Sequence, residues 1–259
     1  MKRSQYTSIY AFGDSYTDNF SSTPYRQEQG QRYSNGPLWI ENLANQFNAS
    51  LYDFARSGAT SNNSLIFRST QDVNAQITAY NQSDVIQQSK SDALYCFWIG
   101  VNDIDVLFQQ YPTNTTERQS ILDQIIDSVQ SELTRLYDIG AQQILLMGLI
   151  PLQELPKYNS TSSEMRDNLR SLVLDYNARL MAIQQRWTKK MIFFDTYQQF
   201  YQLFDSDTIA KNTKIDCGQG KVCDRLTDNI NSYIWWDHLH PTASTHKKIT
   251  EAILNMTNL

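Results

Sequence analysis

The 259-residue chain has three histidines, His238, His240 and His246. Two of them stand in Trp235-Trp236-Asp237-His238-Leu239-His240-Pro241-Thr242. Asp237 lies three residues ahead of His240, a separation at which a tight turn directs a carboxylate at an imidazole. An imidazole held this way keeps one tautomer and can take a proton from a hydroxyl. The candidate hydroxyl is Ser15, where the apolar run Ser8-Ile9-Tyr10-Ala11-Phe12 meets Gly13-Asp14. A serine is a weak nucleophile until a base removes its proton. Ser15, His240 and Asp237 therefore point to nucleophilic attack on an acyl group. Taken alone, Gly13-Asp14-Ser15 is as readily an ordinary turn. Asp237, His238 and His240 also have the chemistry of metal ligands, but no fourth ligand motif accompanies them, so no metal and no cofactor is expected. His238 should point away from His240, and His246 should be structural.

These groups must be carried by elements that bring distant residues to one edge. Ser8–Phe12 reads as a buried strand, and Gly13 permits the sharp turn after it. Ser50–Phe54, Ala93–Ile99, Ile144–Leu149 and Met191–Phe194 read as four more strands. Helical faces recur between them: Leu38, Ile40, Leu43, Ala44 and Phe47 after Pro37; Val73, Ile77 and Tyr80; Ile121 to Leu136 behind a Thr116–Gln119 capping box and stopped at Gly140; Met165 to Trp187; and a final helix opened by Pro241. Strands alternating with helices imply an α/β fold in which a parallel sheet is covered on two faces. The chain reads as one domain over residues 1–259, with no repeats and no linker. The stretches 17–35, 104–115 and 205–232 read as loops. Parallel strands would place Ser15, Gly58 and Asn102, each just past a strand, at one sheet edge, where ligands of such folds bind. Asp14 and Asp103 read as loop-shaping residues, Trp39, Trp98 and Trp187 as core, and Trp235 with Trp236 as site-flanking rings fit to stack on a sugar.

Gly13-Asp14-Ser15, Gly58-Ala59-Thr60, Gly100-Val101-Asn102-Asp103 and Asp237-His238-Leu239-His240 resemble, in order, the four blocks of the GDSL (SGNH) hydrolase family. The resemblance implies a three-layer α/β/α flavodoxin-like sandwich around a five-stranded parallel sheet. It implies Ser15 as nucleophile, His240 as base and Asp237 as its partner. It also implies an oxyanion hole from the backbone N–H of Ser15 and Gly58 with the side-chain amide of Asn102. Arg32-Tyr33-Ser34-Asn35-Gly36-Pro37-Leu38-Trp39 and the Trp-Trp-Asp-x-x-His-Pro-Thr ending resemble the fungal and plant branch, nearest the acetylesterases of carbohydrate esterase family 16. The family's leucine after the serine is replaced here by Tyr16, which should pack rather than react. Ser15 lacks the Gly-x-Ser-x-Gly setting of α/β-hydrolases. The activity implied is hydrolysis of a short acetyl ester, on plant cell-wall sugars or oligosaccharides. The rivals are a lipase or lysophospholipase for longer chains, an acyltransferase, and a non-catalytic sugar-binding relative.

Composition narrows the partners. The net charge is −5 with scattered basic residues, which argues against nucleic acid as the partner. The longest apolar runs, Ala93–Val101 and Ile144–Leu152, are too short to cross a bilayer, so no membrane insertion is expected. The expected partner is a small-molecule or oligosaccharide ester, bound by a monomer. No apolar stretch follows the charged N-terminus, so no signal peptide is read in this chain. Two features favour a secreted protein whose signal has been removed. Cys217 and Cys223 bracket a short loop able to close as a disulfide. Asn-x-Ser/Thr triplets begin at Asn19, Asn48, Asn62, Asn81, Asn114, Asn159 and Asn255, acceptors for glycosylation in a secreted chain. Cys96, inside Leu94-Tyr95-Cys96-Phe97-Trp98, reads as a buried filler.

Overall fold

The computed structural model describes residues 6–20, 32–87, 91–205 and 232–256. Five strands, β1 (Ser8–Gly13), β2 (Ser50–Asp53), β3 (Ala93–Trp98), β4 (Gln143–Met147) and β5 (Lys190–Phe194), form one sheet in the order β2-β1-β3-β4-β5. All four pairings are parallel. In the β1–β3 register Tyr10 stands beside Tyr95 and Phe12 beside Phe97, so the period of two sorts the side chains of both strands to the same faces. Tyr10, Phe12 and Tyr95 meet Tyr80 on one face, where the Tyr80 and Tyr95 hydroxyls share a 2.8 Å hydrogen bond. Trp98 points to the other and meets Trp39 edge-on at 5.6 Å. Every residue of β1, β3 and β4 is buried, as expected where helices cover both faces.

Among the described residues seven α-helices supply the covers: α1 (Trp39–Phe47), α2 (Val73–Gln82), α3 (Val101–Gln110), α4 (Thr116–Asp138), α5 (Ser163–Arg186), α6 (Thr196–Phe204) and α7 (Ala243–Leu254). Helices α1, α6 and α7 pack together, while α2, α3, α4 and α5 form the second group. The three-layer α/β/α arrangement is the one the sequence implies.

Several boundaries differ from the sequence reading. Helix α3 occupies part of the stretch read as a loop at 104–115, and α6 is an additional helix. Their apolar residues do recur at helical spacing (Val101, Ile104, Leu107 and Phe108; Tyr197, Phe200 and Leu203), but each helix is short and follows its strand almost at once. The cap of α4 is Thr115, whose hydroxyl accepts from Arg118 N–H at 3.1 Å, one residue before the expected Thr116; at that terminus Gln119 bonds Asn114 instead. Pro37 and Pro241 each precede the N-cap, Leu38 and Thr242 respectively, rather than occupying the first helical turn. Pro241 instead forms a β-bridge with Trp235. Trp235 is fully buried and stacks on Phe200 at 5.3 Å, so it is a core residue and not a ring for sugar stacking. Trp39 and Trp98 are core, Trp187 packs against it half-buried, and Cys96 is enclosed in β3. Cys217 and Cys223 lie outside the described residues.

Candidate active site

Parallel pairing puts the carboxyl ends of β1, β2 and β3 at one edge. The chain order reverses there, with β2 on one side of β1 and β3 on the other, which opens a crevice between neighbouring connections. Ser15 follows β1 in a turn closed by the Asp14 carbonyl, which accepts from Thr17 at 3.0 Å and Asp18 at 2.9 Å, and by Asp14 Oδ1, which accepts from Tyr16 N–H at 3.0 Å. Gly13 is required at the pivot. A Cβ there would stand 2.2 Å from the Trp98 carbonyl oxygen. The buried Gln76 amide clamps the same residue, accepting from Gly13 N–H at 3.0 Å and donating to its carbonyl at 2.8 Å.

The loop into α7 brings the histidine from the far end of the chain. Thr242 N–H bonds Ile234 O at 2.9 Å and Trp236 N–H bonds His240 O at 2.7 Å, and Thr242 caps the helix through Thr245 N–H. Asp237 Oδ1 accepts the backbone N–H of Leu239 at 2.8 Å and of His240 at 2.7 Å, forming the tight turn its spacing suggested. Its Oδ2 lies 2.7 Å from His240 Nδ1, and His240 Nε2 lies 2.9 Å from Ser15 Oγ. The three side chains expected to act together are thus joined in one hydrogen-bonded chain across 225 residues. The carboxylate at Nδ1 assigns the imidazole proton to that nitrogen, which leaves the Nε2 lone pair facing the hydroxyl.

Gly58 and Asn102 complete the same edge. Gly58 has φ +81, a left-handed turn that glycine adopts without strain. The preceding Ser57 is anchored to Asp18 Oδ2 through its N–H and its hydroxyl, both at 2.8 Å. Asn102, in the first turn of α3, donates Nδ2–H to Ala59 O at 2.8 Å. The N–H groups of Ser15 and Gly58 have no acceptor among the described residues. Ser15, Tyr33, Ser57, Gly58, Arg68, Asn102, Leu239 and His240 line a pocket of about 200 Å³. A larger groove of about 430 Å³, bounded by Gln130, Ile183, Arg186, Trp187 and Thr188, holds no nucleophile with a base beside it.

Burial sets the electrostatics around Ser15. Desolvation pushes the Asp14 carboxyl up to about 7, reinforced by Asp103 and Asp18 and opposed by the Tyr16 N–H. Burial likewise raises Asp103 to about 6, against the hydrogen bonds from Ser61, and Asp53 to about 8. Asp237 goes the other way. Burial would raise it, but the hydrogen bond and charge of His240, with two backbone N–H donors, outweigh that and hold it below the usual carboxylate range. His246, fully buried in α7, is pushed down to about 3 by desolvation and the nearby His240 charge. His238 is exposed and offers its backbone carbonyl to Lys157 N–H. Asp14 and Asp103 bind backbone amides, as read.

Three contributors escaped the sequence reading. Tyr33 stacks on the His240 ring at 4.7 Å and 23°. Tyr16 is more than a packing residue: its hydroxyl donates to Leu239 O at 2.7 Å while its ring meets His240 edge-on. Arg68 donates from Nη2 to Asn102 Oδ1 at 3.0 Å. Tyr33 lies within a motif quoted for the family resemblance, but nothing local ties Tyr33 or Arg68 to His240 or Asn102.

The sequence profile of the GDSL-like Lipase/Acylhydrolase family matches residues 9–253. The chain belongs to this family. It is a family of carboxylic ester hydrolases, and its curated relatives include an acetylesterase from Thermothelomyces thermophilus, 26% identical over 95% of this chain and 86% of the relative. A thermolabile hemolysin from Vibrio parahaemolyticus is 24% identical over the whole chain, which spans 65% of the hemolysin's length. Among solved structures, an acetyl-xylooligosaccharide esterase from Geobacillus superposes with a TM-score of 0.57 at 16% identity, covering 98% of this chain and 95% of that one. No helix among the described residues is long and apolar enough to cross a membrane.

Proposed function

We propose that this GDSL hydrolase is a serine esterase that removes acetyl groups from plant cell-wall sugars or oligosaccharides through an acyl-enzyme on Ser15. The observation that carries the reading is the unbroken chain from Asp237 through His240 to Ser15 Oγ in the lining of the pocket. In the proposed reaction Ser15 Oγ attacks the acetyl carbonyl carbon while His240 Nε2 takes the hydroxyl proton. Asp237 stabilises the imidazolium so formed. The developing oxyanion is met by the Ser15 and Gly58 N–H groups and Asn102 Nδ2. His240 returns the proton to the departing sugar hydroxyl, breaking the ester bond. Water, deprotonated by the same nitrogen, then attacks the acetyl-serine, and collapse of the second tetrahedral intermediate releases acetate and restores Ser15.

Acetyl as the acyl group is supported by the small volume the described residues leave beside Ser15 and by the acetylesterases among the relatives. The longer-chain reading draws on the hemolysin relative and on Phe67, which is 79% exposed next to Arg68. Hydrolysis of p-nitrophenyl esters from acetate to palmitate separates the two: kcat/KM peaking at acetate and lost in Ser15→Ala supports the proposal, and a maximum at long chains overturns its substrate. Release of acetate from acetylated xylo-oligosaccharides, measured beside p-nitrophenyl acetate, tests the sugar; no release overturns that part. Secretion is supported by the triplet asparagines at 48, 81, 114, 159 and 255, all exposed. A mass unchanged by deglycosylation of the protein from a eukaryotic secretory host would count against it.

A further inference from the structure

Arg68 enters the site from the long excursion between β2 and α2. That excursion is rigidly tied: Thr60 Oγ1 donates to Ile66 O at 3.0 Å, Asn63 Nδ2 to Thr70 O at 2.7 Å, and Asn63 N–H reaches Asp72 Oδ2 at 2.9 Å. The guanidinium is thereby delivered to Asn102, 34 residues away in sequence. Its Nη2 donates to Asn102 Oδ1 at 3.0 Å, and its Nε points to Gly58 O at 3.4 Å.

An asparagine amide has one acceptor and two N–H donors, and nothing intrinsic decides which end faces a pocket. Here the acceptor is filled by Arg68 and one donor by Ala59 O at 2.8 Å. Turning the amide over would set its NH2 against the guanidinium and its oxygen against the Ala59 carbonyl, two repulsive contacts replacing two hydrogen bonds. One N–H is left over, with no acceptor among the described residues. The hydrogen bond from a cation also draws electron density from the amide oxygen and strengthens the remaining N–H as a donor. Arg68 has no carboxylate at ion-pair distance among the described residues, so its charge is not spent on a salt bridge.

We infer that Arg68 is a positioning residue of the oxyanion hole, locking the Asn102 amide so that its free N–H faces the carbonyl oxygen attacked by Ser15. The inference rests on the catalytic reading above. It acts through Asn102, and that makes it testable by a double-mutant cycle. The variants are Arg68→Met, Arg68→Lys, Asn102→Ala and the Met/Ala double variant, with Ser15→Ala as control, each assayed for kcat and KM on p-nitrophenyl acetate and for Tm. A hydrogen bond to a charged group justifies an expected fall of about 10- to 100-fold in kcat for Arg68→Met, with KM within about twofold. Arg68→Lys should recover part of kcat, because the ammonium still donates to Asn102 Oδ1. The double variant should be no more than about twofold slower than Asn102→Ala alone.

A kcat unchanged in Arg68→Met, a loss carried by KM, or multiplied losses in the double variant would each overturn the inference. Should the Met variant melt early, the Lys variant, run in the wild-type and Asn102→Ala backgrounds, carries the same comparison. Activity surviving in Ser15→Ala would overturn the catalytic reading itself. An inactive Ser15→Ala beside a fully active Arg68→Met would remove only the role of Arg68.

Discussion

Exchanging Asp237 for asparagine preserves the shape of the side chain and reverses the direction of one hydrogen bond. Asp237 Oδ1 holds two backbone N–H groups, at 2.8 and 2.7 Å, so the single oxygen of an asparagine stays with them. Its amide nitrogen then takes the place of Oδ2, 2.7 Å from His240 Nδ1. Oδ1 also stands 2.9 Å from Nδ1, but it is already taken by two backbone N–H groups. The nearer amide N–H therefore demands a lone pair on Nδ1, and the imidazole proton moves to Nε2. Nε2 now presents a hydrogen to Ser15 Oγ across 2.9 Å and can no longer accept one. In serine proteases the same exchange lowers kcat about 10⁴-fold, or ~5.5 kcal/mol of transition-state stabilisation. Asp237→Asn should lose kcat on p-nitrophenyl acetate to that order with KM little changed. Asp237→Ala removes the carboxylate together with the acceptor of the Leu239 and His240 N–H groups, so it loosens the turn as well as freeing the tautomer and should be impaired to a similar order. An asparagine variant within about tenfold of wild type would refute the reasoning.

Three further outcomes are expected. Tyr16→Phe deletes the 2.7 Å bond to Leu239 O, which ties the serine turn to the histidine turn; losing a half-buried hydrogen bond of about 1–2 kcal/mol should lower Tm by roughly 2–8 °C in a chain of this size, read by calorimetry. Asp53 has its folded pKa raised to about 8, so between its unfolded value and pH 8 the folded state binds more protons than the unfolded one and stability falls as pH rises; Asp53→Asn should flatten the decline in chemical-denaturation midpoints between pH 6.5 and 8, and an unchanged slope would contradict the assignment. His246, pushed down to about 3, is charged only in the unfolded state between that value and about 6.5, so its contribution to stability rises with pH over that window. His246→Leu should therefore be more favourable to Tm at pH 5 than at pH 8, and an equal effect at both would contradict it.

What was legible in the chain was what is local. The strand ends at Gly13 and Trp98 announce themselves by apolar runs that meet small or polar residues. The Asp237–His240 turn is written in a spacing of three. The parallel sheet follows from alternation, and with it the convergence of Ser15, Gly58 and Asn102 on one edge. What was not legible depends on tertiary neighbours. Arg68 reaches Asn102 only because a network of Thr60, Asn63 and Asp72 folds the intervening excursion. Trp235 looked like a ligand-facing ring beside the histidines, yet its pairing with Pro241 and its stacking on Phe200 turn it inward. The cap of α4 fell on Thr115 rather than Thr116, a choice between adjacent threonines that neither residue type nor the Gln119 three residues on could decide.

The central claim is that the acyl group passes through Ser15. Rapid quenching of the enzyme with excess p-nitrophenyl acetate, followed by peptide mass spectrometry, reads that intermediate directly. The account predicts an acetyl group on the peptide carrying Ser15 in the wild type and none in Ser15→Ala, whose turnover falls to background. Acetyl transferred to a different residue while Ser15→Ala retained turnover would contradict it.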